Sequence, residues 1–390
     1  MQRKIVCSTN MPYVEEAFST LGDARVLEGR SICAADVRDA EILALRSTTK
    51  VNADLLEGSS VRFVGTATIG TDHLDIPYLE KHGIEWCYSP GCNANSVSEY
   101  LVAGLLTLAV RNGFTLRGKT LGVIGVGNVG RRVVEKGRAL GMRVLQNDPP
   151  RARAGDYSAG EVSPFVELPE LLAESDIVTL HVPLNRDGVD RTLRLVDAEF
   201  LAKMRKGAIL VNAARGGIVD SDALLEALQS AQLAHVVLDT WEGEPEYRLD
   251  VMNAVDIATP HIAGHSFEGR VAGTVMVYQA ACRYLGVDAD WTPDNLLPPP
   301  EVPYIDCPAG AIAESELLHS IVKRVYDIEA DDRRFRATAE SDGGGRAKAF
   351  DRLRREYPVR REFRFTKVRL GCAGAGIAAT LKALGFGLVE

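Results

Sequence analysis

The chain has 390 residues, 46% of them hydrophobic and 25% charged, with a net charge of −8. That is the composition of a soluble globular protein long enough for two or three domains, and its acidic balance argues against a nucleic-acid partner. No apolar run reaches membrane-spanning length. The N-terminal Met1–Val6 stretch lacks the long apolar region of a signal peptide, and seven dispersed cysteines read as free thiols of a reducing, cytoplasmic compartment rather than as disulfides or a metal site.

Taken in chain order, Lys4–Cys7 reads as a buried strand, Met11–Leu21 has helical spacing, and Ile42–Leu45 and Val61–Val64 read as further strands. Strands alternating with helices imply a parallel sheet. The apolar stretch Val97–Val110, which contains Glu99, reads as a buried helix. Leu121–Gly125 is a strand, Asn128–Leu140 a helix and Arg143–Asn147 the next strand. Ile177–Leu180, Ala208–Val211, Val236–Asp239 and Ile257–Thr259 follow at crossover spacing, which gives a six-strand doubly wound pattern. The helix Glu268–Leu285 is expected to return to the first domain. Proline density over Trp291–Pro300, with Pro303 and Pro308 beyond, marks a linker. The rest reads as a small α+β module with helices over Ser315–Asp327 and Ala347–Arg355 and a strand over Glu362–Val368. The expected domains are therefore 1–98 plus 266–290, discontinuous and binding substrate; 99–265, binding dinucleotide; and 291–390, a linker and a dimerisation module.

Gly125-Val-Gly127-Asn128-Val129-Gly130 follows a strand and opens a helix. That context turns a weak motif into a dinucleotide fingerprint, with glycines that let a pyrophosphate approach a helix N-terminus. Asp148, at the end of the next strand, is placed for the adenine ribose hydroxyls and would repel a 2′-phosphate, which favours NAD over NADP. Arg151 and Arg153 nearby pull the other way. Val182 offers backbone and apolar contact to the cofactor, Asp239 an acceptor for the nicotinamide carboxamide, and Gly264 closes the last loop.

Arg215, Glu244 and His261 follow three successive strands, where ligands bind in such sheets. A guanidinium can grip a substrate carboxylate by two parallel bonds. A carboxylate can orient a histidine, and a histidine so held can move a proton while a nicotinamide moves a hydride.

At these residues the chain resembles the D-specific 2-hydroxyacid dehydrogenases. Asn10–Tyr13, Arg46–Asn52, Gly65–His73, Pro90–Asn93, Asp148–Arg151 and Trp241–Pro245 narrow the resemblance to the branch that oxidises 4-phospho-D-erythronate. Val325–Asp327, Asp331–Asp332, Phe350–Leu353 and Leu384–Phe386 extend it into the tail. The resemblance implies a doubly wound NAD domain, a flavodoxin-like substrate domain and a homodimer formed through the tail. It also implies oxidation at C2 to 3-hydroxy-2-oxo-4-phosphooxybutanoate in vitamin B6 biosynthesis. Arg215 would hold the carboxylate, His261 would act as base with Glu244 paired to it, and Ser47 and Thr68 would contact the phosphorylated substrate. His265 stands where the family commonly has a substrate-binding tyrosine. Its imidazole bonds a phosphate more strongly when protonated, so affinity is expected to fall more sharply above neutral pH than with tyrosine. Two alternatives stay open on sequence. One is the same chemistry on another acid, such as 3-phosphoglycerate or hydroxypyruvate; the other is a non-catalytic NAD-binding regulator.

Overall fold

The computed structural model describes residues 3–156, 163–307, 312–341, 343–371 and 374–389; Pro308 of the expected linker lies outside them. The chain divides into two compact units, residues 1–93 with 265–299 and residues 94–264 with 300–390.

The first unit is a five-stranded parallel sheet of β1 (Lys4–Ser8), β2 (Asp23–Leu27), β3 (Ile42–Leu45), β4 (Phe63–Thr66) and β5 (Glu85–Cys87), in the order β2-β1-β3-β4-β5. That is the flavodoxin-like order. Its central strands are mostly apolar and, apart from Lys4, buried throughout, because both faces are covered. Ile5, Phe18 and Phe63 pack on one face with Val277 and Tyr278 of the helix Phe267–Leu285, and Val6, Leu43 and Val64 pack on the other. The helical spacing at Met11–Leu21 yields only a short helix, Val14–Phe18.

The second unit holds a six-stranded parallel sheet of β6 (Thr120–Ile124), β7 (Arg143–Asn147), β8 (Ile177–Leu180), β9 (Ala208–Asn212), β10 (Leu233–Leu238) and β11 (Ile257–Ala258). The order is β11-β10-β9-β8-β6-β7, so the direction of winding reverses between β6 and β8. The fold is thus the α/β, doubly wound class read from the sequence. No helix among the described residues is long and apolar enough to cross a membrane.

The tail was expected as a module of its own, yet it shares the apolar core of this second sheet. Ile305, Leu317, Ile321, Phe363 and Phe386 pack with Leu101, Leu105 and Val133, and Phe335 and Phe350 pack with Leu238, Trp241 and Tyr247. It carries a three-stranded parallel sheet of β12 (Tyr304–Asp306), β13 (Lys367–Arg369) and β14 (Gly387–Val389). The strand expected over Glu362–Val368 is a 3₁₀ turn at Phe363–Phe365 followed by β13.

Glu99 lies inside the helix Ala94–Asn112 and is almost fully buried, accepting from Asn95 Nδ2 at 2.8 Å and from the Phe363 amide at 3.1 Å. Burial pushes its carboxyl well above the usual range, against the attraction of Lys136 and with the repulsion of Glu362. A carboxyl raised in the folded state holds its proton more tightly than in the unfolded chain. Stability therefore falls as pH climbs from the ordinary carboxylate range through the raised value. Both bonds reach Oε1, so a glutamine can keep them. Glu99→Gln is expected to raise Tm at pH 8.5 by about 2–4 °C and to leave it nearly unchanged at pH 5. Parallel Tm–pH curves for variant and wild type in calorimetry would remove Glu99 as the source of the slope.

Candidate active site

The fingerprint sits at the reversal of winding. Gly125, just past β6, has φ +83°, and a Cβ there would meet the His181 carbonyl and Val182 Cγ1 at 2.8 Å. Only glycine meets both demands. A Cβ on Gly130 would overlap the Gly125 carbonyl, so this glycine lets the helix Asn128–Ala139 lie close on its strand. Gly127, by contrast, is exposed and faces open space at the N-terminus of that helix. Backbone amides with no side chain in front of them are what a pyrophosphate requires. Asp148 Oδ2 accepts from the Val126 amide at 2.8 Å, which ties the acid to the fingerprint turn. Arg151 donates to Asp156 at 2.7 Å and to the Val126 carbonyl at 2.5 Å, and Arg153 pairs with Asp190 at 2.5 Å. Both arginines that spoke for a 2′-phosphate are thus engaged with the protein's own acceptors. The residues present fit NAD.

Arg215, Glu244 and His261 come from the C-terminal ends of the adjacent strands β9, β10 and β11. Asn212 shapes the first turn: its Nδ2 donates to the Arg215 carbonyl at 3.0 Å and its Oδ1 accepts from the Ala214 amide at 3.1 Å. Next to it a Cβ on Gly216 would overlap the Trp241 carbonyl, so the Arg215 turn and the Glu244 turn can touch only through a glycine. Arg215 Nη1 donates to the Ala214 carbonyl at 2.8 Å.

His261 Nδ1 and Glu244 Oε1 form a short hydrogen bond, and Glu244 Oε2 accepts from the Trp241 amide at 3.0 Å. Burial would raise the Glu244 carboxyl. The His261 charge and bond, with Arg354 and the Trp241 amide, outweigh it and hold the group at about 2. An ionised carboxylate only accepts, so Nδ1 carries the bonded proton, and in the neutral ring the lone pair is then on Nε2.

His261 has φ +55°, a left-handed backbone that costs a non-glycine residue about 1–2 kcal/mol. The surroundings hold it there. Its amide donates to the Asp239 carbonyl at 2.6 Å, while the Asp239 carboxylate accepts from the amides of Ile262 at 2.7 Å and Ala263 at 2.9 Å. Thr259 Oγ1 also donates to Asp239 Oδ1, at 2.6 Å, and sits 2.8 Å from the Tyr100 hydroxyl. Asp239, read from the sequence as a nicotinamide contact, is first the anchor of the His261 loop.

The residues Ser47, Thr68 and His265 belong to the other unit. Ser47 is exposed just past β3. Thr68 donates its hydroxyl to the Gly70 carbonyl at 2.9 Å, so its proton is spent on its own loop. Sequence reading passed over three further polar side chains of this unit as site residues. Arg46 follows β3, Asn10 follows β1 and donates to Thr48 at 3.0 Å, and Arg270 donates to the Asn10 carbonyl at 3.2 Å. The signal for Arg46 was a cation directly after an apolar run.

Residues 95–263 match the family described as D-isomer specific 2-hydroxyacid dehydrogenase, NAD binding domain, and residues 296–385 match a domain of unknown function. Erythronate-4-phosphate dehydrogenase of Pectobacterium carotovorum is 46% identical over 383 residues, 98% of each chain. The chain belongs to the erythronate-4-phosphate dehydrogenase family, a branch of the D-isomer specific 2-hydroxyacid dehydrogenases. The family member of Azotobacter vinelandii is 44% identical over 382 residues, 98% of this chain and 99% of its own. Among solved structures, the D-lactate dehydrogenase of Aquifex aeolicus, complexed with NAD and lactic acid, matches with a TM-score of 0.60 at 25% identity over 72% of this chain and 95% of its own. The family is an NAD family, in keeping with the fit of Gly127 and Asp148.

Proposed function

We propose that this protein is the NAD-dependent dehydrogenase that converts 4-phospho-D-erythronate to (R)-3-hydroxy-2-oxo-4-phosphooxybutanoate in the biosynthesis of pyridoxal 5′-phosphate. The observation that carries the chemistry is the Glu244–His261 pair beside Arg215 at three adjacent strand ends. The choice of substrate rests on likeness to the erythronate-4-phosphate dehydrogenases over nearly the whole chain.

Arg215 holds the substrate carboxylate through parallel hydrogen bonds and polarises the oxygen at C2 as it becomes a carbonyl. The Nε2 lone pair of His261 takes the C2 hydroxyl proton. Glu244 stabilises the imidazolium that results, at no cost in reorganisation because it is already ionised. Gly127 and Asp148 would hold NAD, which would supply the acceptor for the C2 hydride. In the reverse direction His261 returns the proton. Ser47, Thr68 and His265 contact the substrate, Arg46 adds a cation for its anionic groups, and the protein works in the cytoplasm as a homodimer through residues 291–390.

The test is steady-state NADH formation with 4-phospho-D-erythronate, 3-phosphoglycerate, hydroxypyruvate (in reverse) and unphosphorylated erythronate, with the oxoacid product removed. A kcat/KM highest for phosphoerythronate is the expected result. Preference for another acid would keep the triad and reassign the substrate; NAD binding with no turnover of any would make the chain a regulator. His265→Tyr is expected to flatten the rise of KM above neutral pH, and an unchanged KM–pH curve would remove the imidazole from substrate binding.

A further inference from the structure

Glu244 rides on a turn with little support of its own. Its internal bonds are the Trp241 amide to Glu244 Oε2 and two backbone closures, Glu244 to Trp241 at 3.3 Å and Glu246 to Gly243 at 3.1 Å. From outside, Glu242 accepts from Arg194 at 3.2 Å and from the Ser221 amide at 3.3 Å, and the two ends of the turn, Trp241 and Tyr247, are both buried and rest on the C-terminal segment. The Phe335 ring lies 5.2 Å from Trp241 and 4.6 Å from Tyr247, and the Phe350 ring lies 6.0 Å from Tyr247 and 5.7 Å from Phe335. The Tyr247 hydroxyl is 2.5 Å from Thr338 Oγ1, which itself donates to the Phe335 carbonyl at 2.6 Å.

The same segment grips the His261 side. Asp332 Oδ1 accepts from the Ala258 amide of β11 at 2.7 Å, and Arg336 holds Asp332 by two bonds of 2.9 and 3.0 Å. Arg360 Nη2 donates to the Ala263 carbonyl at 2.7 Å, two residues past His261. Trp241 Nε1 joins the two turns by donating to the Thr259 carbonyl at 2.8 Å. All these residues lie in one compact unit, so the contacts are made within a single subunit.

We propose that the C-terminal segment is a working part of the proton-transfer apparatus of its own subunit, with Phe335 and Phe350 as positioning residues that clamp the Glu244 turn in register with His261. The proposal rests on the catalytic reading above and adds a role for a region whose family model is a domain of unknown function. The physical need is clear. His261 is held in a costly backbone conformation, and its bond to Glu244 is useful only if both turns stay within a fraction of an ångström. Rigid aromatic rings at both ends of the turn supply that at low conformational cost. Arg354, on the helix Gly343–Arg355 and over the Phe350 ring at 5.8 Å, adds its charge on the side of the Glu244 carboxylate.

The test is a double-mutant cycle in the full-length enzyme. Phe350→Leu is expected to lower kcat about tenfold, with NAD affinity and sedimentation behaviour unchanged, and to have almost no further effect in a Glu244→Gln background. Tyr247→Phe, which removes only the bond to Thr338, runs the same cycle with a gentler change and an expected loss of about threefold. A loss that persists in full without the Glu244 carboxylate, a loss that tracks subunit dissociation, or no loss in either variant overturns the proposal. A substrate-free readout separates this claim from the choice of substrate. The His261 Nδ1 proton is expected as a far-downfield proton resonance in wild type that weakens or moves upfield in Phe350→Leu. If 4-phospho-D-erythronate is not turned over, the proposed reaction fails, and an unchanged resonance in Phe350→Leu would sink the positioning role on its own.

Discussion

Replacing His261 with asparagine is expected to lower kcat for hydroxyacid oxidation about 10³-fold while NAD binds as before. Asparagine is the informative choice because of the backbone. His261 sits at φ +55°, a region that asparagine tolerates better than most residues, so the loop has no added reason to rearrange. The amide bonds that hold the loop on Asp239 involve no part of the imidazole. What disappears is the one group able to take a proton at Nε2. The pH profile sharpens the result. Glu244 is held at about 2, so its contribution to stability is present above the ordinary carboxylate value and is lost only as pH falls through about 2. It stays ionised at every working pH and cannot be the source of an acid limb near neutrality. Any acid limb that wild type shows in kcat/KM is expected to be absent from the residual rate of His261→Asn. Stopped-flow NADH formation decides the matter; a residual rate with the wild-type limb intact would place the base elsewhere.

The parts of the fold that were legible in the sequence share a physical reason. Strands buried on both faces are mostly apolar, so β1, β3, β4, β6 and β8–β10 stand out as runs bounded by loops. The strands β2 and β5 lie at the edges of their sheet and carry Asp23, Arg25 and Glu85, which broke the apolar signal. The helix Ile328–Arg336 was hidden for the opposite reason. Its sequence is almost all charge, with only Ile328, Ala330 and Phe335 apolar, yet Asp331 and Asp332 are buried because they bond Tyr357 and the Ala258 amide. A one-dimensional pattern reads such residues as solvated. In the site, Arg215, Glu244 and His261 could be read because each follows its strand within a few residues. The support beneath them could not, since Phe335 and Phe350 lie about a hundred residues downstream of the turn they hold, and nothing local ties either ring to that turn. The tail's part in the core was hidden in the same way: its apolar residues complete the core of the second sheet, which no local pattern reports.

Arg215→Ala tests the other half of the chemistry. The expected loss in kcat/KM is about 10³-fold, the scale of removing one member of a desolvated, hydrogen-bonded charge pair, with NAD affinity within about twofold of wild type. The separation follows from where the residue is built. Arg215 rises from the β9 turn that Asn212 shapes and Gly216 lets approach Trp241, whereas the fingerprint occupies the reversal between β6 and β8, two strands away across the sheet. Arg215→Lys keeps the charge but not the planar fork. It is expected to recover about tenfold of the lost kcat/KM and no more, because an ammonium cannot make two parallel bonds to a carboxylate. Isothermal titration with NAD beside steady-state kinetics reads both quantities on the same protein. If affinity for NAD falls as far as kcat/KM, Arg215 belongs to the cofactor site. If lysine restores full activity, the residue acts as a point charge, and the grip on the substrate carboxylate must come from elsewhere.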